Sequence, residues 1–184
     1  MAALAFGTVQ LGEAYGRHPQ LPSAEDAVAL LLEAAMAGVV ALDTASNYGL
    51  AEERVGLAVR QLPAEHTRWQ VVTKIDEVEA GSATQLEDAV DRSVAMSLQR
   101  LGVASLDCCC IHNFEMWLAH DRAAWRRLCH HRDLLGTVGR CGVSVATFEE
   151  ALACLADPSV QHIQLPVSLL DHRWRHLHAP THGP

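Results

Sequence analysis

Basic residues are scarce in this chain, and their scarcity excludes two classes of partner. The 184 residues include 14 Lys and Arg against 22 Asp and Glu, which gives a formal net charge of −8. Nucleic acids and anionic membrane surfaces are bound through clustered Lys and Arg side chains. The sequence therefore predicts neither of them as a partner.

Long apolar runs are also missing. No run approaches the roughly 20 apolar residues that span a bilayer. The amino-terminal stretch MAALAFGTVQLG has neither a basic segment nor a cleavage site of the kind that signal peptides carry. We therefore expect a cytoplasmic protein without membrane contact, and the length favours a single domain over residues 1–184.

The six cysteines lack the spacing of a metal site. Neither a C-x-x-C pair nor a Cys/His finger pattern occurs. Cys108, Cys109 and Cys110 are adjacent, and alternate residues of a strand face opposite sides, so these three side chains cannot converge on one ion. Small apolar cysteines in the core of a protein from a reducing compartment explain them. The sequence thus predicts no metal site.

Short β-rich runs alternate with longer helical runs along the chain. The predicted strands are 4–9, 39–44, 69–75, 105–112, 138–145 and 160–168. The predicted helices between and after them are 24–37, 51–61, 84–101, 118–135 and 148–156. Such alternation indicates right-handed crossovers and a parallel sheet. Residues 172–184 have no periodicity and are predicted to form an irregular tail.

Six strand–helix units fit either a doubly wound sheet or most of a (β/α)₈ barrel. A doubly wound dinucleotide-binding domain carries G-x-G-x-x-G after its first strand. Here Gly7 and Gly12 flank Thr-Val-Gln-Leu instead. The missing fingerprint favours an α/β fold of the TIM-barrel type.

Four polar residues fall where such a barrel carries its reactive groups, at the C-terminal ends of strands and in the loops that follow. They are Asp43, Tyr48, Lys74 and His112. A core-facing Asp and Lys are tolerated only as a pair, and a positive charge beside a tyrosine favours the phenolate. A histidine opposite can hydrogen-bond a carbonyl oxygen. Together they would form a proton donor for a nascent alkoxide.

Each of the four also has a structural interpretation. Asp43 could cap a turn, Tyr48 could lie at the surface and Lys74 could extend from a strand end to solvent. His112 could satisfy a loop carbonyl. One such residue alone favours the structural explanation, whereas four at the ends of three consecutive strands favour a catalytic one.

The motifs around these residues resemble those of the aldo-keto reductase family. LDTASNYG at 42–49, followed by Glu52 and Val55-Gly56, is similar to the family signature LDTAxxYGxxE…(L/V)G. The resemblance continues, in order, through VTK at 72–74, SLQRLG at 97–102, IH at 111–112, GRCGVS at 139–144 and QLPVSLLD at 164–171. It extends from Gly7 to about Arg173, and the GTVQLG start is similar to a bacterial branch.

The resemblance implies an NAD(P)H-dependent reduction of an aldehyde or ketone, with a small carbonyl compound as substrate. In such an enzyme Tyr48 would be the general acid, Lys74 and Asp43 would tune it, and His112 would orient the substrate carbonyl.

The resemblance also implies an NADP(H) site. Ser144 and Gln164 match positions that hydrogen-bond the nicotinamide carboxamide, and Gly7, Thr8 and Asp43 line its neighbourhood. The match departs at Val145, where the family usually has Asn.

A complete barrel takes about 250 residues, and this sequence ends shortly after its sixth strand. We therefore expect an incomplete barrel of six β/α units, without strands seven and eight. The resemblance assigns the phosphate-binding part of the cofactor site to those strands. Strands one and six would be unpaired edges, which favour pairing with another chain. Self-association, a complementing chain or a substantially rearranged sheet would each cover these edges, and the expected partner is a second copy or a complementing chain.

Three functions stay open on the sequence alone. The first is an aldo-keto reductase. The second is an isomerase, dehydratase or cyclase that uses Asp43, Tyr48, Lys74 and His112 for acid–base chemistry, which needs no phosphate site. The third is an inactive truncated product, since the family pattern is lost after Asp171.

Overall fold

The computed structural model describes residues 4–16, 20–63, 68–76, 81–168 and 170–177. Short strands and helices alternate along them. The strands are β1 (Ala5–Gly7), β2 (Ala41–Asp43), β3 (Gln70–Lys74), β4 (Cys108–Ile111), β5 (Cys141–Ser144) and β6 (His162–Gln164). The helices are α1 (Val9–Gly12), α2 (Ala24–Met36), α3 (Ala51–Gln61), α4 (Ala83–Leu101), α5 (Phe114–His130) and α6 (Phe148–Leu155). A π-helical turn (His131–Leu135) extends α5, and a 3₁₀ turn (Arg173–His176) follows β6.

The strands pair in parallel and in the order of the sequence, β1-β2-β3-β4-β5-β6. A doubly wound sheet reverses its strand order at a switch point, whereas a barrel adds each strand beside the preceding one. The observed order confirms the prediction of a TIM-type barrel, incomplete in the described residues, with six parallel strands and their helices.

Alternation along the strands separates two faces of the sheet. One face belongs to the apolar core that packs against the helices, and includes Leu42, Val71, Cys109, Ile111, Cys141 and Val143. The alternate residues of the same strands therefore line the inside of the barrel, which we call the inner face: Asp43, Lys74, Cys108, Cys110, Gly142, Ser144, His162 and Gln164. The polar residues of interest are thus gathered on one surface.

Local hydrogen bonds determine where the longest helix begins and ends. Ser82 and Gln85 form a capping box at the start of α4, because each side chain accepts a hydrogen bond from the other residue's backbone N–H. The helix ends at Gly102, whose φ of 69° is left-handed. Among the described residues, no helix is long and apolar enough to cross a membrane.

Several predicted boundaries need correction. The sequence predicts a strand over 4–9, but the strand ends at Gly7 and Val9 begins α1. The sixth strand ends at Gln164 rather than 168, shortly before Pro166, which has no N–H to donate. The other strands are likewise shorter than predicted. Of the residues left outside them, Leu106 and Val138 still form an isolated parallel bridge.

The fifth helix departs most from the prediction of 118–135. It begins at Phe114, because the Asn113 side chain accepts a 2.8 Å hydrogen bond from the backbone N–H of Met116. Inside the helix, His120, Asp121 and Arg122 have positive φ, so the helical path is interrupted there. Of the predicted tail at 172–184, residues 173–176 form the 3₁₀ turn, and residues 178–184 lie outside the described residues.

Candidate active site

The C-terminal ends of three neighbouring strands bring the four predicted catalytic residues together. Lys74 Nζ lies 2.8 Å from Asp43 Oδ1 and 5.1 Å from the centroid of the Tyr48 ring. The rings of Tyr48 and His112 meet edge to face, with centroids 6.1 Å apart and an interplanar angle of 72°. The interpretation of Lys74 as a residue that extends to solvent does not fit this arrangement, because its side chain is buried.

The ammonium group of Lys74 is almost entirely removed from solvent. Its side chain is 2% exposed, and it donates hydrogen bonds to Asp43 Oδ1 at 2.8 Å and to the carbonyl oxygen of Thr44 at 2.9 Å. A buried ammonium without such partners would be strongly destabilising. The pair therefore fixes a positive charge against the face of the Tyr48 ring, where the π electrons attract it.

A close backbone approach holds the loop that carries Tyr48. A Cβ on Gly12 would lie 1.7 Å from the carbonyl oxygen of Tyr48, and a Cβ on Gly49 would lie 2.3 Å from that of Gly12. Leu50 also donates its N–H to the Gly12 oxygen at 3.0 Å. Only glycine fits at Gly12, and Gly49 needs its left-handed φ of 54° as well. The α1 segment and the Tyr48 loop therefore form one packed unit.

A buried carboxylate supports the same loop from behind. Glu52 is 1% exposed and accepts hydrogen bonds from Thr73 Oγ1 at 2.7 Å and from Arg100 Nη1 at 3.4 Å. Arg100 also donates to the carbonyl oxygen of Ser46 at 2.8 Å, and Ser46 Oγ donates to that of Lys74 at 2.7 Å. This series of hydrogen bonds, from Glu52 to Lys74, thus connects α3, α4 and the end of β3. Glu52, Ser46 and Arg100 all lie in motifs that the sequence analysis names, but their contact was not predicted, because Arg100 is far from the other two in sequence.

The predicted cofactor residues at β1 lie beside Asp43. Gly7 pairs with Asp43 in the sheet, and the buried Thr8 donates from both its N–H and its Oγ1 to the Asp43 carbonyl oxygen at 2.9 Å. No described atom lies within 4 Å of the position that a Cβ on Gly7 would take. The surface beside Asp43 is therefore open to a ligand at that point.

The predicted carboxamide-binding residues lie at the other side of the inner face. Ser144 and Gln164 are paired in register between β5 and β6. Within the described residues, Gln164 Oε1 is buried and accepts no hydrogen bond. Val145 donates its backbone N–H to the Gln164 carbonyl oxygen at 2.8 Å, so the residue that departs from the family pattern still anchors β6 through its backbone. A buried acceptor of this kind fits a ligand that brings an N–H donor.

Sequence reasoning missed a second group of inner-face side chains. Cys109 faces the outer core, as the alternation predicts, but Cys108 and Cys110 share the inner face and meet His162. The potential ligand atoms of these three residues lie within 4.8 Å of one another. The adjacent cysteines did not predict this group, because the third residue, His162, lies on β6 and is far from them in the sequence.

The ionisation of this group reflects its surroundings. A hydrogen bond between the two thiols lowers the pKa of Cys108 and raises that of Cys110, and the charges of Arg140 and Lys74 also lower the pKa of Cys108. Burial lowers the pKa of His162, which favours the neutral imidazole. Burial also raises the pKa of Cys109 on the opposite face.

Comparison with known proteins identifies the family. The family model described as Aldo/keto reductase family matches residues 3–179. The chain belongs to this family. The curated L-galactose dehydrogenase of Arabidopsis thaliana is 32% identical over 118 residues, which cover 62% of this chain and 35% of that protein.

Solved structures of the aldo-keto reductase fold agree. One from Pseudomonas aeruginosa is 26% identical, with a TM-score of 0.75 over 93% of this chain and 65% of its own. An aldo/keto reductase of Klebsiella pneumoniae in complex with NADP and acetate shares the fold, with a TM-score of 0.72, 24% identity and coverage of 95% and 57%. The chain thus spans about one third to two thirds of the length of these relatives.

Proposed function

We propose that this protein is an NADPH-dependent reductase of a small aldehyde or ketone, with Tyr48 as the proton donor. The observation that carries the proposal is the buried Lys74, which is paired with Asp43 at 2.8 Å and lies 5.1 Å from the centroid of the Tyr48 ring. A buried ion pair at the ends of adjacent strands adds little to stability. Beside the phenol of Tyr48 and the imidazole of His112, the pair supplies a positive charge that stabilises the phenolate formed when Tyr48 donates its proton.

Each residue of the group would have a separate part. Tyr48 would transfer its hydroxyl proton to the carbonyl oxygen of the substrate as the alkoxide forms. The charge of Lys74 would stabilise the phenolate left behind, and Asp43 would hold Lys74 in place. His112, whose ring meets that of Tyr48, would donate a hydrogen bond to the same carbonyl oxygen and orient it.

The inner face fits the nicotinamide end of the cofactor. NADP is bound in the Klebsiella pneumoniae structure, and a Bombyx mori aldo-keto reductase is also solved with NADP. When bound, the cofactor supplies the hydride. The buried Oε1 of Gln164, which accepts no hydrogen bond from the described part of the chain, would accept one from the carboxamide NH₂, and Ser144 would hydrogen-bond the same group. The open surface at Gly7, with Thr8 and Asp43 beside it, would leave room for the ring.

The test is the loss of NADPH absorbance with a nitrobenzaldehyde as substrate. Tyr48→Phe removes the transferable proton and keeps the ring, so we expect kcat to fall by about 100- to 10,000-fold, the usual contribution of a general acid. Tyr15→Phe is the matched control, because Tyr15 is the other tyrosine of the sequence and is 56% exposed. The control should keep the wild-type rate.

Cofactor binding is measured separately, through the change in NADPH fluorescence on titration. Gln164→Leu should weaken binding, whereas Gln70→Leu, at the start of β3 and the opposite end of the strands, should not. Equal turnover by Tyr48→Phe and the wild type would refute the assigned donor. Conversion of a carbonyl compound that depends on Tyr48 but consumes no NADPH would instead identify acid–base chemistry without a cofactor.

A further inference from the structure

The inner face of the barrel carries a group of ligand-type side chains that the proposed reduction does not use. Cys108 and Cys110 are two residues apart on β4, and His162 lies on β6. One ligand atom from each lies within 4.8 Å of the other two. Both cysteines are fully buried, and His162 is partly exposed. The three side chains are therefore already close together, and His162 is the partly exposed member of the group.

Gly142, on the strand between β4 and β6, explains how the side chains of Cys110 and His162 meet. Cys110, Gly142 and His162 are consecutive partners across β4, β5 and β6. Strands β4 and β6 would be roughly 9.5 Å apart in a flat sheet. A Cβ on Gly142 would lie 2.7 Å from Cys110 Sγ and 2.9 Å from His162 Cβ. Because Gly142 has no side chain, there is space between the strands in which the Cys110 sulfur and the His162 imidazole approach each other.

We propose that Cys108, Cys110 and His162 form a binding site for Zn²⁺. Two sulfurs and one imidazole nitrogen are ligands that Zn²⁺ prefers, in a tetrahedron whose fourth position is left to water or another ligand. With Zn–S near 2.3 Å and Zn–N near 2.0 to 2.1 Å, ligand atoms of such a tetrahedron are about 3.5 to 3.8 Å apart. The ligand atoms here are at most 4.8 Å apart, so no pair has to approach by more than about 1.3 Å to reach that geometry.

The charge of a zinc–dithiolate unit is compatible with the cations around this position. Lys74 and Arg140 are the cations whose charges act on Cys108. Two thiolates carry a charge of −2, so a bound Zn²⁺ forms a neutral unit that these cations do not repel. Zn²⁺ binding displaces one proton from each thiol and leaves the imidazole neutral. No oxidant or reductant is involved.

Binding would link two parts of the candidate active site. His112 follows Cys110 by two residues, directly after the end of β4, and Gln164 follows His162 by two residues on β6. An ion held by both strands fixes their separation across β5. It therefore restrains His112 relative to Gln164 and stabilises the short strand β6.

The experiment is a titration of the metal-free, purified chain with Co²⁺, followed by competition with Zn²⁺. We expect one Co²⁺ per chain, visible d–d bands of a tetrahedral site and near-ultraviolet bands from thiolate-to-cobalt charge transfer. Zn²⁺ should abolish these bands and raise the unfolding temperature. X-ray absorption of the Zn²⁺-loaded wild type should show two sulfurs at about 2.3 Å and nitrogen at about 2.0 to 2.1 Å.

The matched variants are Cys110→Ala and Cys109→Ala, adjacent residues of β4 on opposite faces. Cys110→Ala and His162→Gln should each weaken metal binding by more than about 100-fold, because loss of even an outer-shell partner costs 10- to 100-fold. Cys109→Ala should bind as the wild type does. Zinc without sulfur neighbours in the X-ray absorption of the wild type would overturn the proposal even if a variant failed to fold. So would charge-transfer bands that persist in Cys110→Ala.

Discussion

The ammonium of Lys74 on β3 donates a 2.8 Å hydrogen bond to Asp43 Oδ1 on β2, with side chains that are 2% and 27% exposed. The two residues are not direct partners in the sheet, because Asp43 pairs with Val72. The Lys74 side chain therefore extends back along β3, toward the level of Val72 and Asp43. That direction holds its charge beside the Tyr48 ring rather than in solvent.

Removal of the Asp43 charge should destabilise the fold. Asp43→Asn leaves Lys74 buried with a neutral partner, and we expect the free energy of unfolding to fall by about 3 kcal/mol, the lower end for breaking a buried pair. Urea denaturation followed by circular dichroism measures the change. The control, Asp133→Asn, removes an exposed carboxylate that pairs with Arg132 and should leave the denaturation midpoint nearly unchanged. Equal midpoints for the two variants would contradict the prediction.

A methyl group on Gly12 should displace the Tyr48 loop. Gly12→Ala forces a clash with the Tyr48 carbonyl oxygen, and overpacking of this kind costs about 3 kcal/mol or more. Gly38→Ala is the control, since Gly38 has a φ of 88° but no described atom within 4 Å of the added methyl. The control should cost only the left-handed backbone strain, about 1 to 2 kcal/mol. If Gly12→Ala is at least as stable as Gly38→Ala in chemical denaturation, the close contact of Gly12 with the Tyr48 carbonyl oxygen does not constrain the Tyr48 loop.

Glu52 and Glu53 form a natural matched pair at the start of α3. Glu52→Gln keeps an acceptor for Thr73 but leaves Arg100 without its carboxylate, so we expect a loss of about 3 kcal/mol. Glu53 is exposed, and Glu53→Gln should change stability by about 0.5 kcal/mol at most. Thermal and urea unfolding of both variants test this. Indistinguishable stabilities would mean that the Glu52 network contributes nothing.

The contact between α4 and α5 should depend on pH through Asp91. Arg127 donates to both carboxylate oxygens of Asp91, at 2.6 and 2.8 Å, and His131 Nε2 lies 2.8 Å from Oδ1. The hydrogen bond with Arg127 is the main cause of the lowered pKa of Asp91. A carboxyl whose pKa is lowered on folding stabilises the native state above its unfolded pKa, about 3.9, and loses that contribution as pH falls through the lower folded value.

Comparison of wild type with Asp91→Asn over pH 2 to 7 measures this contribution. The wild type should be more stable near neutral pH, and the difference should shrink below about pH 4 as Asp91 is protonated. Asp88→Asn, at an exposed position of the same helix, serves as the control and should show a much smaller difference. A gap for Asp91→Asn that grows in acid would have the wrong sign and would refute the assignment.

Part of the site could be predicted because its residues lie in short contiguous motifs or at the ends of strands. Asp43 and Tyr48 belong to one contiguous motif, and Lys74 and His112 each end a strand, so the rule that parallel strands present their C-terminal ends together was enough to group them. The start of α4 was predicted at 84, whereas its N-cap is Ser82 and its first residue is Ala83. Strand lengths were overestimated, since β-type residues continue beyond the ends of the continuous strands.

The sequence by itself determined the family, the alternation of strands and helices, and the assignment of Cys109 and Cys110 to opposite faces. These follow from periodicity and from contiguous motifs. Only the tertiary structure decided which distant residues meet: Arg100 behind Glu52, and His162 beside Cys110 across Gly142. The period of a strand fixes which face a side chain lies on. The register of neighbouring strands and the room left by a missing side chain decide what it touches there.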